Sequence, residues 1–178
     1  RKAPEIVDLV KEVVLMGGGY HTGNRSAVAE FNIAIDPEAA HIVFNERWPL
    51  TMVGLDLTHP ARPTDKIMAD IAALNTPISQ FVVDSLSSYT AGYRQRNGTN
   101  EHAPVHDPCA VAYVIDPTLI TTQKAPVNIE LQGALTTGMT VTDFRHPPAS
   151  DCHTQVATRL DNARLWELFI DSLKRLPN

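Results

Sequence analysis

The sequence predicts an α/β protein with an open, mostly parallel sheet flanked by helices. Short apolar segments typical of buried strands alternate with segments that carry helix caps and helical apolar spacing, and this alternation is the order found in α/β folds. No internal repeat or interdomain linker interrupts it. Residues 1–178 are therefore interpreted as part of a single domain.

The first half of the chain is predicted to hold two buried strands. Val13–Met16 is apolar and runs into glycines 17–19, and residues 50–55 form a second apolar run. A strand that ends in glycine allows a ligand to approach the backbone closely, and ligands of open α/β sheets bind beyond the carboxyl ends of strands. A ligand site is therefore expected behind Met16.

Capping residues place the helices. Asp36 is expected to begin a helix that reaches about Asn45, and Asp161 is expected to cap the last helix. Two more helices are predicted between them, one over residues 63–74 and one that starts at Thr76. On the helix after Thr76 one apolar stripe is predicted to be core: Ile78, Phe81, Val82 and Leu86. Residues 121–131 and 139–144 are predicted strands, expected to form an antiparallel pair.

Polar side chains follow the first strand. If residues 30–32 are extended, Glu30 and Asn32 project to one side and Phe31 to the other. Together with Asn24, this carboxylate and these carboxamides suit a ligand with several neighbouring hydroxyls, which needs mixed donors and acceptors. The alternative is a loop whose asparagines satisfy their own backbone.

A second candidate site lies at residues 104–108, where His106 precedes Asp107 and Pro108. Asp107 and Pro108 have the form of an N-cap and first helical residue, followed by an apolar helix over residues 109–115. A carboxylate there can ligate a hard cation, and a neighbouring histidine can donate a proton near neutral pH. An ordinary cap preceded by a surface histidine is the simpler alternative.

Several motifs together resemble the inosine-uridine preferring nucleoside hydrolase family, in order from about residue 5 to residue 173. The segments that carry the resemblance are Val14-Leu15-Met16-Gly17-Gly18-Gly19, Gly23-Asn24, Ala29-Glu30-Phe31-Asn32-Ile33, Asp36-Pro37-Glu38-Ala39-Ala40, Val53-Gly54-Leu55-Asp56-Leu57-Thr58-His59 and His106-Asp107-Pro108-Cys109-Ala110-Val111. The resemblance implies a calcium-dependent hydrolase that cleaves the N-glycosidic bond of ribonucleosides.

The resemblance also implies roles for individual residues. His106 matches the acid that protonates the leaving base, and Asp107 matches a Ca²⁺ ligand. The ribose-holding positions of the family match Met16, Asn24, Glu30 and Asn32, and Phe31 lies against the nucleoside in the same motif. Tyr93 and Gln95, which precede a polar loop over residues 97–103, are candidates for a lid on the base side, because aromatic and amide groups can stack and hydrogen-bond.

The chain departs from the family pattern at its start. Family members open with an Asp-x-Asp-Pro-Gly-x-Asp-Asp segment that supplies most of the calcium carboxylates, and this segment is absent from the 178 residues, which begin with Arg1. Ca²⁺ takes six to eight oxygen ligands, so Asp107 alone cannot form its site. The sequence therefore predicts the C-terminal part of a nucleoside hydrolase domain, with little or no turnover by itself. The alternative is a catalytically silent module that binds ribose or nucleosides or serves in interactions.

Composition limits the other possibilities. The net charge is −5 and the 15 basic residues are scattered, which gives no support to nucleic-acid or membrane partners. Cys109 and Cys152 form neither a metal motif nor a disulfide framework, so a reducing cytoplasm is the expected location. The glycine run lacks the GxGxxG spacing and the lysine of phosphate-binding loops. A ribonucleoside is the expected substrate, and a homo-oligomer is the expected assembly.

Overall fold

A computed structural model describes residues 2–177 of the chain. Its strands are β1 Val13–Met16, β2 Leu50–Val53, β3 Ile120–Lys124, β4 Val127–Ile129, β5 Thr140–Thr142 and β6 Thr154–Leu160. Its α-helices are α1 Phe31–Ile35, α2 Pro37–Phe44, α3 Leu55–Thr58, α4 Asp65–Ala72, α5 Pro77–Asn97, α6 His106–Ile115 and α7 Asn162–Lys174. Two 3-10 turns cover Pro4–Leu9 and Pro117–Leu119.

Four strands form the main sheet, in the order β1-β2-β6-β3. The pairs β1-β2 and β2-β6 are parallel, with Val13 opposite Leu50 and Leu50 opposite Thr154. Strand β3 runs antiparallel to β6, with a register shift between Thr121 and Thr122. The predicted open, mostly parallel α/β sheet is therefore confirmed, and the sequence analysis missed only its strand β6.

The two central strands are buried on both faces, as expected for parallel sheets covered by helices. Successive side chains point to opposite faces, so Met52 and Val156 enter one apolar cluster while Val53 and Ala157 enter the other. The cluster that contains Val53 is completed by residues of α3, α4, α6 and α7. Strand β1 lies at the sheet edge, and its four apolar residues are only half-buried.

Capping chemistry determines most helix starts where the sequence predicted them. The side chains of Asp36, Thr64, Thr76 and Asp161 each accept a backbone N–H in the first turn of their helix. The predicted core stripe on α5 is wrong at Phe81, whose side chain is 71 % exposed. Ile78, Val82 and Leu86 lie against the core. Because successive helical residues are about 100° apart, Phe81 lies on the side of Ile78 that faces away from Val82 and Leu86, outside the buried stripe.

Strands β4 and β5 form a separate antiparallel pair, which confirms the expected pairing. The predicted strand over residues 121–131 is interrupted at Ala125 and Pro126, so that β3 joins the main sheet and β4 leaves it. Within residues 2–177, no helix combines the length and the apolar character that crossing a membrane requires.

Candidate active site

The loop after β1 approaches its neighbours so closely that it needs glycine. Gly18 has a φ of 73°, in the left-handed region, and a Cβ at this position would lie 2.8 Å from Thr140 Cγ2. Its carbonyl accepts the N–H of Leu55 at 2.8 Å, which joins the loop to α3. Gly19 and Thr140 exchange two hydrogen bonds, of 2.9 and 2.7 Å. The loop is thus rigidly placed at the carboxyl end of β1.

Glu30 organises the polar cluster behind this loop. Its carboxylate accepts the N–H groups of Gly18 at 3.0 Å, Asn32 at 2.9 Å and Ile33 at 3.2 Å, and the residue is only 2 % exposed. The extended conformation considered for residues 30–32 in the sequence analysis is therefore wrong: Glu30 is the N-cap of α1, and Phe31 and Asn32 lie in the first turn of that helix. Three of about four acceptor positions of the carboxylate are occupied within the protein.

The other members of this cluster present accessible groups. Asn32 Nδ2 donates to the Met16 carbonyl at 3.2 Å, and Asn24 Oδ1 accepts the N–H of Phe31 at 2.8 Å. Asn24, Phe31 and Asn32 are exposed, and Met16 is half-buried. The five residues predicted to bind the nucleoside therefore lie close together. Among them Glu30 is buried, and the side chains of Asn24, Phe31 and Asn32 are exposed.

Helix α3 connects this cluster to the second candidate site. Asp56, whose side chain is 7 % exposed, accepts the backbone N–H groups of Tyr20 at 2.6 Å and His21 at 3.1 Å, on the loop after β1. Two residues later, Thr58 Oγ1 lies 2.8 Å from His106 Nδ1. One turn of helix thus fixes both the glycine loop and the histidine.

His106 is the first residue of α6 and Asp107 the second, because Val105 is the N-cap. The predicted N-cap role of Asp107 is therefore wrong. The N–H of Val105 donates to the Ala61 carbonyl at 2.8 Å, which fixes the chain there and lets the helix begin earlier. Asp107 is exposed.

The surroundings of His106 favour its neutral form. Burial lowers the pKa of His106 to about 4, and the nearby His59 and Arg62 act in the same direction while Asp107 opposes them. The His59 and His106 rings meet edge to face with centroids 5.7 Å apart. Burial also lowers the pKa of His59. Near neutral pH, His106 is therefore a neutral imidazole, whose free ring nitrogen can donate or accept a hydrogen bond.

Asp107 borders two cavities of different character. One, of about 250 Å³, is also lined by Tyr89, Pro104 and His106. The other, of about 450 Å³, lies between α6 and α7 and is apolar, with Val111, Leu165 and Phe169 among its lining residues. The polar hydroxyls of a sugar fit the first cavity better than the second.

The described residues do not supply the donor set of Ca²⁺, the cofactor that the resemblance implies. Among residues 2–177, no three side chains of His, Cys, Asp or Glu converge on a common point. Ca²⁺ takes six to eight oxygens, so the described residues do not form a calcium site by themselves. Asp107 remains a single candidate ligand.

The predicted lid residues lie on the last turns of α5. Tyr93 is half-buried, and its hydroxyl accepts from Arg62 Nη2 at 3.1 Å. Gln95 is exposed and sits about 200° further around the helix, so the two side chains do not share a face.

Three residues of this region were not predicted from the sequence: Asp56, Thr58 and Arg62. Asp56 and Thr58 lie inside a motif that carries the family resemblance, directly after a buried strand, and that position is a signal for site residues. Nothing local distinguishes Arg62, because its significance comes from distant partners.

Comparison with known proteins gives the arrangement its context. A sequence model of the family described as "Inosine-uridine preferring nucleoside hydrolase" matches residues 1–167. The chain belongs to this family. It is 59 % identical over 176 residues to a Leishmania major protein of that name, and 58 % identical to one from Crithidia fasciculata. A "Pyrimidine-specific ribonucleoside hydrolase" from Shewanella woodyi is 40 % identical over 171 residues.

Solved structures agree on the fold. A "Purine-Preferring Ribonucleoside Hydrolase" from Gardnerella vaginalis matches 97 % of the chain with a TM-score of 0.87 and 36 % identity. The chain spans about half the length of the relatives it matches: 99 % of the chain covers 55 % of the Leishmania protein, and 97 % covers 55 % of the Gardnerella one.

Proposed function

We propose that the protein contributes to hydrolysis of the N-glycosidic bond of ribonucleosides. Water adds its oxygen to the anomeric carbon, the bond from that carbon to the base nitrogen breaks, and the base leaves with the second proton of the water. The observation that carries the proposal is the joining of two groups by α3: the polar cluster at the end of β1, and His106 with Asp107 at the start of α6. Membership of the nucleoside hydrolase family supports this chemistry.

In this proposal the cluster at β1 holds the sugar. The exposed carboxamides of Asn24 and Asn32 offer donors and acceptors to ribose hydroxyls, Phe31 and Met16 contact the apolar parts of the nucleoside, and Glu30 holds the group in shape. Because a sugar cation develops in the transition state, contacts to its hydroxyls can tighten as the ring flattens.

His106 is assigned the base side. In the tautomer in which Nδ1 accepts the hydroxyl proton of Thr58, the proton of the neutral ring stands on Nε2, from which it can be directed at a nitrogen of the leaving base. Stabilising that nitrogen as the bond breaks is the work of a general acid or hydrogen-bond donor. Tyr93 and Gln95 remain candidates for contacts on this side.

Asp107 is assigned as one ligand of a Ca²⁺ ion. The other ligands would come from outside the described residues, since those residues supply no cluster of three donors. For that reason we expect the 178-residue chain alone to turn over slowly, and no catalytic step above depends on the ion.

The deciding experiment measures free base and ribose released from inosine and from uridine, with added Ca²⁺ and with excess chelator. Equal amounts of base and ribose, lost on chelation, are expected from the protein in its natural form, and Asp107→Asn should reduce both metal binding and release. Saturable nucleoside binding with no release would instead favour the silent binding module. The same assay on the 178-residue chain tests the expected low turnover.

A further inference from the structure

Arg62 occupies the gap between three segments that surround His106. It follows α3 in the chain, and its Nε donates to the His59 carbonyl at 2.9 Å. Its Nη1 donates to the His102 carbonyl at 2.9 Å, and its Nη2 donates to the Tyr93 hydroxyl at 3.1 Å. The side chain is 23 % exposed. The guanidinium of Arg62 thus joins the C-terminal end of α3, the end of α5 and the segment before α6.

The contacts require the shape of arginine. Three nitrogens of the planar group point in different directions, each toward another segment, while Nη1 also lies 2.9 Å from Glu101 Oε2. The guanidinium carbon stands 5.3 Å from the centre of the Tyr93 ring, within cation-π range. A lysine carries one ammonium group and cannot reach all three segments at once.

The same segment is fixed at two further points on its way to His106. The N–H of Ala103 donates to Thr90 Oγ1 of α5 at 3.2 Å, and the N–H of Val105 donates to the Ala61 carbonyl at 2.8 Å. His106 itself is held by Thr58. Arg62 is the link that reaches the Tyr93 side chain itself, while the bond from Ala103 to Thr90 joins the backbone of the segment to α5.

We propose that Arg62 is a positioning residue, which holds Tyr93 and the segment at residues 101–105 so that Tyr93 and His106 face the departing base together. This inference rests on the proposed function for its catalytic meaning. Arg62 itself need not touch the nucleoside, since all three of its nitrogens are engaged within the protein.

The first test uses nuclear magnetic resonance of the histidine rings and needs no turnover. In Arg62→Met the ring signals of His59 and His106 should shift, whereas those of His41, His146 and His153 should stay in place. The matched control is Arg164→Met, because Arg164 also holds several groups, Asp116 Oδ2 at 2.7 Å and Thr118 Oγ1 at 2.9 Å. That variant should leave the His59 and His106 signals unchanged. Unchanged signals in Arg62→Met would overturn the proposal.

The second test compares kinetics in the natural form of the protein. A misplacement of about 1 Å can cost about 10²-fold in rate, so Arg62→Met should lower kcat for inosine by about 10- to 10²-fold, and Arg62→Lys should not restore it. Arg164→Met should keep kcat.

A double-mutant cycle separates positioning from general stabilisation. If Arg62 acts through Tyr93, the variant with both Arg62→Met and Tyr93→Phe should be no slower than Arg62→Met alone. Fully additive losses would contradict the proposal. Should Arg62→Met not fold, Arg62→Lys and Tyr93→Phe give the same ring-signal comparison. If no variant and no parent protein hydrolyses nucleosides, the proposed function fails, while the ring signals still decide the placement by Arg62.

Discussion

Thr58 Oγ1 lies 2.8 Å from His106 Nδ1, and Thr58 is completely buried. The hydroxyl can direct the imidazole either by donating to Nδ1 or by accepting from it. Because Thr58 belongs to the same helical turn as Asp56, the orientation of the histidine is tied to the loop beyond β1. This contact gives rise to the first prediction.

Thr58→Val should lower kcat for nucleosides and also lower the free energy of unfolding by the value of one hydrogen bond. Valine keeps the volume of threonine but removes the hydroxyl, so Nδ1 of His106 loses its partner and the ring loses its fixed orientation. The lost hydrogen bond should cost about 0.5–1.5 kcal/mol in the free energy of unfolding. Steady-state kinetics and urea denaturation measure the two effects. Thr58→Ser, which keeps the hydroxyl, should retain most of the activity, and a serine variant as slow as the valine one would argue against this role.

His106→Ala should slow hydrolysis of ordinary nucleosides by about 10²–10⁴-fold, the usual contribution of an acid–base group. A nitrophenyl riboside carries a leaving group that needs no proton, so its hydrolysis should be nearly spared. Rates with both substrates, measured in the natural form of the protein, distinguish the two roles. Equal losses would mean that His106 positions the substrate and does not assist the base.

The stability of the protein should fall as the pH falls from about 6.5 toward 4. The folded state lowers the pKa of His106 to about 4, and in an unfolded chain the ring titrates near 6.5. Between these values the unfolded state binds more protons, so acid favours unfolding. Urea denaturation at several pH values measures the slope, and His106→Gln should reduce it. Since the pKa of His59 is lowered too, a smaller slope should remain. A slope unaffected by His106→Gln would contradict this assignment.

Glu30→Ala should destabilise the fold by at least about 2 kcal/mol, because it removes the acceptor of three backbone N–H groups in a buried place. Asp36→Ala is a matched control: Asp36 caps the next helix through one exposed bond of 2.8 Å to the N–H of Ala39, and its loss should cost about 1 kcal/mol. Denaturation midpoints of the two variants give the comparison. Equal losses would show that the buried cap adds no more than an ordinary one.

The features that sequence could predict are those with local causes. Asp36 and Asp161 cap their helices through N–H groups three residues away, and β1 ends where glycines begin, so short stretches of sequence contain the whole signal. The residues proposed to hold a sugar are brought together because residues 16–32 form one compact loop.

The missed features depend on distant partners. Glu30 is a buried N-cap rather than part of an extended segment, and its carboxylate accepts the N–H of Gly18, twelve positions earlier, besides two N–H groups of α1. Strand β6 has neither a strict alternation of polar and apolar residues nor a continuous apolar run, and it becomes central only because β2 and β3 pair on its two sides. Arg62 bonds Tyr93, 31 positions later, and His102, 40 positions later. No pattern near Arg62 encodes those contacts.

The position of β6 has a consequence for how the chain acquires its structure. Leu50 in β2 pairs with Thr154 in β6, about a hundred residues further along, while β1 and β2 lie much closer together in sequence. The sheet can therefore be completed only after β6 has been synthesised, and until then β2 has an open edge. Closing such long loops costs conformational entropy before the pairing of β2 with β6 stabilises the sheet, and folding is therefore slow. Until β6 pairs, the apolar edge of β2 is open to pairing with other chains. Insertion of β6 is thus expected to limit the rate at which the protein folds.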